Sequence, residues 1–224
     1  MLIVEELFLL LRRDDGRPVS GSAQRGYGIA AAVITDLVLA ERVTLSDDQD
    51  PRMSVLQRGP AGHPALDAAM VRLSERDGKK LSSLVTDRKL AVEERVAGAL
   101  AAAGVIGIEE KRALGLVPAK YPALDPGPER RVREHLRVAL AGATPRTEDA
   151  TLLVILQALG VAPKVLEDEK GTLGRRDLER RIEEISTEIK AGEAVAKAVA
   201  AMNSAIMTVV IADGGGDGGG GGGD

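Results

Sequence analysis

The chain has 224 residues, 44% hydrophobic and 29% charged, with 30 Lys and Arg against 34 Asp and Glu for a net charge of −4. An acidic balance argues against nucleic-acid binding, which usually leaves a basic domain, and Phe8, Tyr27 and Tyr121 are too few aromatics for base-stacking platforms. With no cysteine there is no disulfide, thiolate nucleophile or Cys-ligated metal, and a reducing cytoplasm is expected.

In chain order, residues 2–11 are apolar and read as a short helix, stopped by the turn residues Asp14, Asp15, Gly16 and Pro18. Glu5 and Glu6 interrupt that run and the basic residues follow it, the wrong order for a secretory signal. Residues 29–39 are apolar nearly all round, which predicts an interior helix. A β-hairpin is expected over 42–57, around the polar loop 46–51. Residues 92–103 predict another helix, and a second hairpin is expected over 113–122. A charged helix follows at 129–140, and an apolar one at 150–160. At 175–190, Leu178, Ile182, Ile185 and Ile189 line one face of an amphipathic helix. The run 194–212 is dominated by alanine and carries Lys197 and Asn203, so it reads as a buried helix and not as a membrane span.

These elements predict an all-α fold: a buried helical bundle surrounded by amphipathic helices, with two short β-hairpins. One domain is expected over 1–212, followed by a disordered glycine-rich tail at 213–224. The phrase Pro-Ala-Leu-Asp occurs twice, at 64–67 behind His63 and at 122–125 behind Tyr121, which suggests a diverged helix–hairpin–helix duplication.

Catalytic chemistry is poorly represented. His63 and His135 sit in unrelated settings, read as solvated or helix-surface histidines, and the carboxylates fall in helix-face runs. No enzyme activity, metal or cofactor is expected. One local contrast is clear: residues 111–137 hold seven cations against three carboxylates, a net +4 within an acidic chain. Basic residues beside an apolar hairpin suit an anionic membrane surface, where each contributes about 1 kcal/mol.

An ordered series of motifs resembles the Golgi phosphoprotein 3 family. It opens with Glu5-Glu6-Leu7-Phe8-Leu9-Leu10 and Asp14-Asp15-Gly16, and continues with the glycine-led stretch from Gly28 to Leu45. Pro64-Ala65-Leu66-Asp67, Glu94-Arg95-Val96, Gly104-Val105-Ile106 and Leu114-Gly115-Leu116-Val117 with Tyr121-Pro122 follow, then Arg146 with Leu152-Leu153. The resemblance implies an all-α globular fold with a projecting hairpin. Eukaryotic members bind phosphatidylinositol 4-phosphate and act as adaptors that retain glycosyltransferases; the Ala/Arg/Gly-rich composition here looks bacterial. The four headgroup positions of the family fall on Gly21, Ala30, Leu90 and Glu93, none of which retains the side chain needed.

The resemblance therefore implies a peripheral membrane or adaptor protein for anionic, phosphoinositide-like lipids, cytoplasmic and at the inner membrane face. The candidate headgroup residues are Arg25, Arg88 and Lys89. The candidate membrane or partner hairpin comprises Leu114, Leu116, Val117, Lys120 and Tyr121, expected to face outward. Arg112, Arg130, Arg131 and Arg133 form the candidate basic surface. The alternative is a soluble protein-interaction module that oligomerises through the hairpin. A winged-helix nucleic-acid binder is disfavoured, because the loop Asp47-Asp48-Gln49-Asp50 is acidic where a wing needs positive charge.

Overall fold

The structure, a computed structural model, describes residues 1–13, 15–109, 119–187 and 193–214. Among them are ten α-helices, a single 3₁₀ turn and one two-stranded sheet, so the all-α expectation holds. The centre is built from α1 (Ile3–Leu10), α2 (Ser22–Leu39), α7 (Thr147–Ala158) and α10 (Glu193–Gly214), which pack on one another. Helices α1 and α7 are buried almost throughout, and so is the part of α2 from Gly28 to Val38, the stretch that read as apolar nearly all round, whereas residues 22–27 of α2 are exposed or half-buried. Around them lie α3 (Pro64–Glu75), α4 (Leu81–Val85) and α5 (Glu93–Ala102) on one side. On the other lie α6 (Gly127–Leu140), α8 (Ala162–Val165) and α9 (Arg175–Thr187). In α9 the predicted stripe is real over Leu178, Ile182 and Ile185, all buried; Ile189 lies outside the described residues.

The first hairpin is β1 (Val43–Leu45) against β2 (Met53–Val55), antiparallel, with Val43 opposite Val55 and Leu45 opposite Met53. Most of the second expected hairpin, with Leu114, Leu116 and Val117, lies outside the described residues, as does the tail from 215 onward. The backbone on either side of it is antiparallel: Ile106 bridges Ala123 and Glu109 bridges Lys120.

Two departures from the sequence reading have simple causes. Helix α2 begins at Ser22 instead of 29, running straight through Gly26 and Gly28. Gly28 sits in a close contact: a Cβ there would meet Leu159 Cδ1 at 2.8 Å and Leu7 Cδ2 at 3.3 Å, so a larger residue would require the Leu159 side chain to shift. The two phrases behind the suggested duplication differ in structure, and most of the second hairpin lies outside the described residues. The first Pro-Ala-Leu-Asp opens α3, whereas the second is bridged to Ile106 through Ala123 and bends at Leu124.

Helix α1 is held at its start by Asp36 of α2. Its carboxylate accepts the N–H groups of Ile3 (2.9 Å) and Val4 (3.0 Å), two of the donors a helix N-terminus leaves unpaired. Burial pushes the Asp36 carboxyl up to about 7, against the pull of those two hydrogen bonds. Glu6, one turn on, is also buried and pushed up to about 7; Arg146 and the N-terminal amine pull it the other way.

Candidate functional site

Two neighbouring regions carry the residues singled out from the sequence. The first lies where the N-terminus of α2 meets the 3₁₀ turn Arg88–Leu90 and α5. A surface cavity of about 390 Å³ opens there, lined by Ser22, Gly26, Tyr27, Asp87 and Arg88 among others. Arg88 lines it, and Lys89 sits beside it in the turn, exposed, its N–H donating to Asp87 Oδ1 at 3.0 Å.

Asp87 gives the cavity an anionic wall. Burial works against its charge, but hydrogen bonds from Arg72 and the Lys89 amide, with Arg76 nearby, hold its carboxyl below the ordinary value. Arg25 does not line the cavity. Its Nε lies 3.2 Å from Glu93 Oε1, and an Nη donates to the Ser20 carbonyl. The same Glu93 oxygen takes the Arg12 guanidinium, so the carboxylate at the head of α5 consumes the two nearest cations. Ala30 and Leu90, two of the four positions matching the family's headgroup pocket, are sealed in the core; Gly21 caps α2. Of the three candidate headgroup residues, only Arg88 and Lys89 keep their charge available.

The second region surrounds the segment 110–118. Two strands enter and leave it, tied by Gly107 N–H to the Pro122 carbonyl (2.8 Å) and by reciprocal bonds between Glu109 and Lys120 (2.9 and 3.0 Å). Ile108 is 49% exposed and Leu124 65% exposed, large apolar side chains left in water on these strands. A Cβ on Gly107 would lie 3.8 Å from the Leu124 side chain, so these two share a face of the ribbon, and Ile108, the next residue, falls on the opposite one.

Helix α6 starts three residues beyond Leu124. Arg130 and Arg131 are exposed and make no ion pair among the described residues; the Arg131 guanidinium folds back toward Gly127 at the start of the helix. Lys120 is half-buried at the root of the strands. Sequence reasoning missed Ile108 and Leu124, because nothing local distinguishes Leu124 from its buried counterpart Leu66.

Two expectations need correction here. Tyr121, expected to face outward, turns in: its ring meets Phe8 edge-on at 5.4 Å and packs on the core. Arg133, expected on the basic surface, braces α6 instead. It bonds Glu129 (2.8 Å), Glu169 (3.0 Å) and the Val165 carbonyl (3.1 Å). Burial opposes its charge, but Glu169 and Glu129 outweigh that and raise its pKa. Arg112 lies outside the described residues.

Of the two histidines, His135 is exposed, but His63 is a helix cap. Its Nδ1 accepts the Ala65 N–H at 3.3 Å and its Nε2 lies 3.2 Å from Glu5. No cluster of three His, Asp or Glu side chains suited to a metal occurs among the described residues. Nor is any helix among them long and apolar enough to cross a membrane.

Among the described residues, the surface of this helical domain thus combines an occluded arginine cluster with an apolar ribbon that leads into exposed cations. The sequence profile of the Golgi phosphoprotein 3 (GPP34) family matches residues 3–202, and the chain belongs to that family. No curated protein matches it.

Proposed function

We propose that this chain is a non-enzymatic peripheral membrane adaptor that docks on anionic lipid through the ribbon around 110–118 and the start of α6. The observation that carries this reading is the exposure of Ile108 and Leu124 on the ribbon that leads into α6, where Arg130 and Arg131 are exposed and make no ion pair among the described residues. Apolar side chains gain about 25 cal/mol per Å² on leaving water, and each nearby cation adds about 1 kcal/mol at an anionic surface. Two of each give weak, reversible attachment, as expected of a protein that lies on a membrane without crossing it. Membership of the Golgi phosphoprotein 3 family, whose eukaryotic members bind a phosphoinositide, supports the reading.

The lipid preference follows from charge and not from a shaped pocket. Asp87 and Glu93 stand where a phosphorylated headgroup needs donors, so selectivity for phosphatidylinositol 4-phosphate over other anionic lipids is absent. The working location is the cytoplasmic face of the membrane.

The test is co-sedimentation with phosphatidylcholine vesicles, with and without phosphatidylserine, at low and high salt. Binding only to the anionic vesicles, weakened by salt and lost in Arg130→Ala/Arg131→Ala, is expected. Failure to bind anionic vesicles at low salt, with concentration-dependent self-association abolished by Leu124→Ser, would replace this reading with the oligomerising module.

A further inference from the structure

A two-stranded ribbon is marginally stable by itself, so something in the body of the protein must fix the direction in which Ile108 and Leu124 point. Arg12 is placed to do that. It follows α1, its side chain is 6% exposed, and its guanidinium carbon lies 4.5 Å from the centre of the Phe8 ring and 4.7 Å from that of Tyr121. With the rings 5.4 Å apart and 73° to one another, the guanidinium sits in the corner of a T-shaped aromatic pair. Its edge is turned to Glu93 of α5, which Arg25 of α2 holds from the other side. One side chain thus joins α1, α2 and α5 to the returning strand of the ribbon.

The backbone agrees. The Tyr121 N–H donates to the Gly16 carbonyl at 3.3 Å, and a Cβ on Gly16, whose φ is +74°, would stand 2.5 Å from the Tyr121 and Pro122 backbone. The turn after Arg12 is therefore pressed directly on the strand.

We propose that Arg12 is a positioning residue: by stacking on Phe8 and Tyr121 while paired to Glu93, it sets the orientation of the ribbon root and so how the exposed Ile108 and Leu124 are presented at the surface. The value of that surface for lipid rests on the function proposed above; the clamp itself does not. Arginine is required because a planar guanidinium can stack on two rings and donate from its edge at once, whereas an ammonium cannot. The buried Arg12 Nε has no hydrogen-bond partner among the described residues, so ring stacking, and not a complete hydrogen-bond shell, holds the group.

Amide hydrogen exchange on the full chain tests this, read at the Glu109 and Lys120 amides that close the root, with the Leu153 and Ile155 amides of α7 as the core reference. In Arg12→Lys the root amides should exchange about tenfold faster or more while the core amides stay protected, the pattern of a local opening. Binding to phosphatidylserine-containing vesicles should weaken severalfold in the same variant. Should Arg12→Lys not fold, Tyr121→Leu, which leaves both ion pairs in place, carries the same expectation. Unchanged root exchange in a folded variant overturns the proposal. Leu124→Ser separates the two readings: it should lose vesicle binding with root exchange unaltered. If the wild-type chain ignores vesicles, the lipid reading falls, while faster root exchange in Arg12→Lys still establishes the clamp.

Discussion

The same four residues, Pro-Ala-Leu-Asp, take opposite structures at 64–67 and 122–125, and the residue before each phrase explains why. His63 is extended, with φ −142° and ψ 133°, and its imidazole accepts the Ala65 N–H, so Pro64 becomes the first residue of α3. Asp67 then accepts from the Gly62 amide at 3.1 Å, tying the approach to the helix, and Leu66 is buried at 3% exposure. At the second site the leading residue is Tyr121, whose side chain packs on the core. Its ring is taken by Phe8 and Arg12 and its N–H by Gly16, and Pro122 and Ala123 run antiparallel to Gly107 and Ile106 before a bend at Leu124. The helix starts only after Asp125 has accepted the Gly127 N–H at 2.8 Å. One phrase feeds the core and the other the surface. Both lean on α1, the first through Glu5 and the second through Phe8.

The comparison breaks most severely at Gly16. Valine there would force a β-branched residue into positive φ and drive a methyl group into the Tyr121–Pro122 backbone. Strain and overpacking together should cost about 3–5 kcal/mol, read as a large drop in the urea midpoint. A midpoint near wild type would mean that the second phrase does not depend on this contact.

Next in size is the paired truncation of the two leucines. Leu66→Ala should cost about 2–4 kcal/mol by leaving a cavity, while Leu124→Ala should stay within about 0.5 kcal/mol, as for a surface change. Equal losses in thermal denaturation would contradict the assignment of one to the core and the other to the surface.

The shared support, α1, should be sensitive to pH. Glu6 and Asp36 hold their protons up to about pH 7 in the fold, whereas the unfolded chain ionises near the ordinary carboxylate value. The folded state therefore binds more protons across that window, and these two groups make stability fall as pH rises through it, levelling off above about 7. The slope should reach at most about 1.4 kcal/mol per pH unit for each group. Glu6→Gln should remove one group's share, measured by urea denaturation from about pH 5 to about pH 8. An unaltered slope in that variant would show that Glu6 is not the group responsible.

Smallest is the cap. His63→Ala removes the acceptor for Ala65 and should cost about 1 kcal/mol, whereas His135→Ala, at an exposed position, should leave the melting temperature unchanged.

Much of the fold was legible because helix formation is local. Apolar residues at helical spacing marked α1, α7, α9 and α10 to within a few residues, and the turn at Gly16 ended the first of them. The early start of α2 was hidden, since Gly26 and Gly28 argue against a helix on propensity and only packing against Leu159 explains the second. Helix α3 carried its own start signal in His63 and Pro64, but the repeat drew attention elsewhere. At the candidate site, residue type marked Arg130 and Arg131, which are exposed, but could not show that Tyr121 turns inward or that Arg133 braces α6.

The sequence by itself determined the helical class, the family and the existence of a charged segment, because composition and short-range periodicity are carried by neighbouring residues. Tertiary structure decided which of those charges and apolar groups are free to meet a ligand. Arg25 is occupied by a carboxylate 68 residues away and Arg12 by the same carboxylate 81 residues away. Arg133 is held by one 36 residues away, and Tyr121 is drawn inward by Phe8. Ion pairing and burial depend on distance in space, and distance along the chain does not report it.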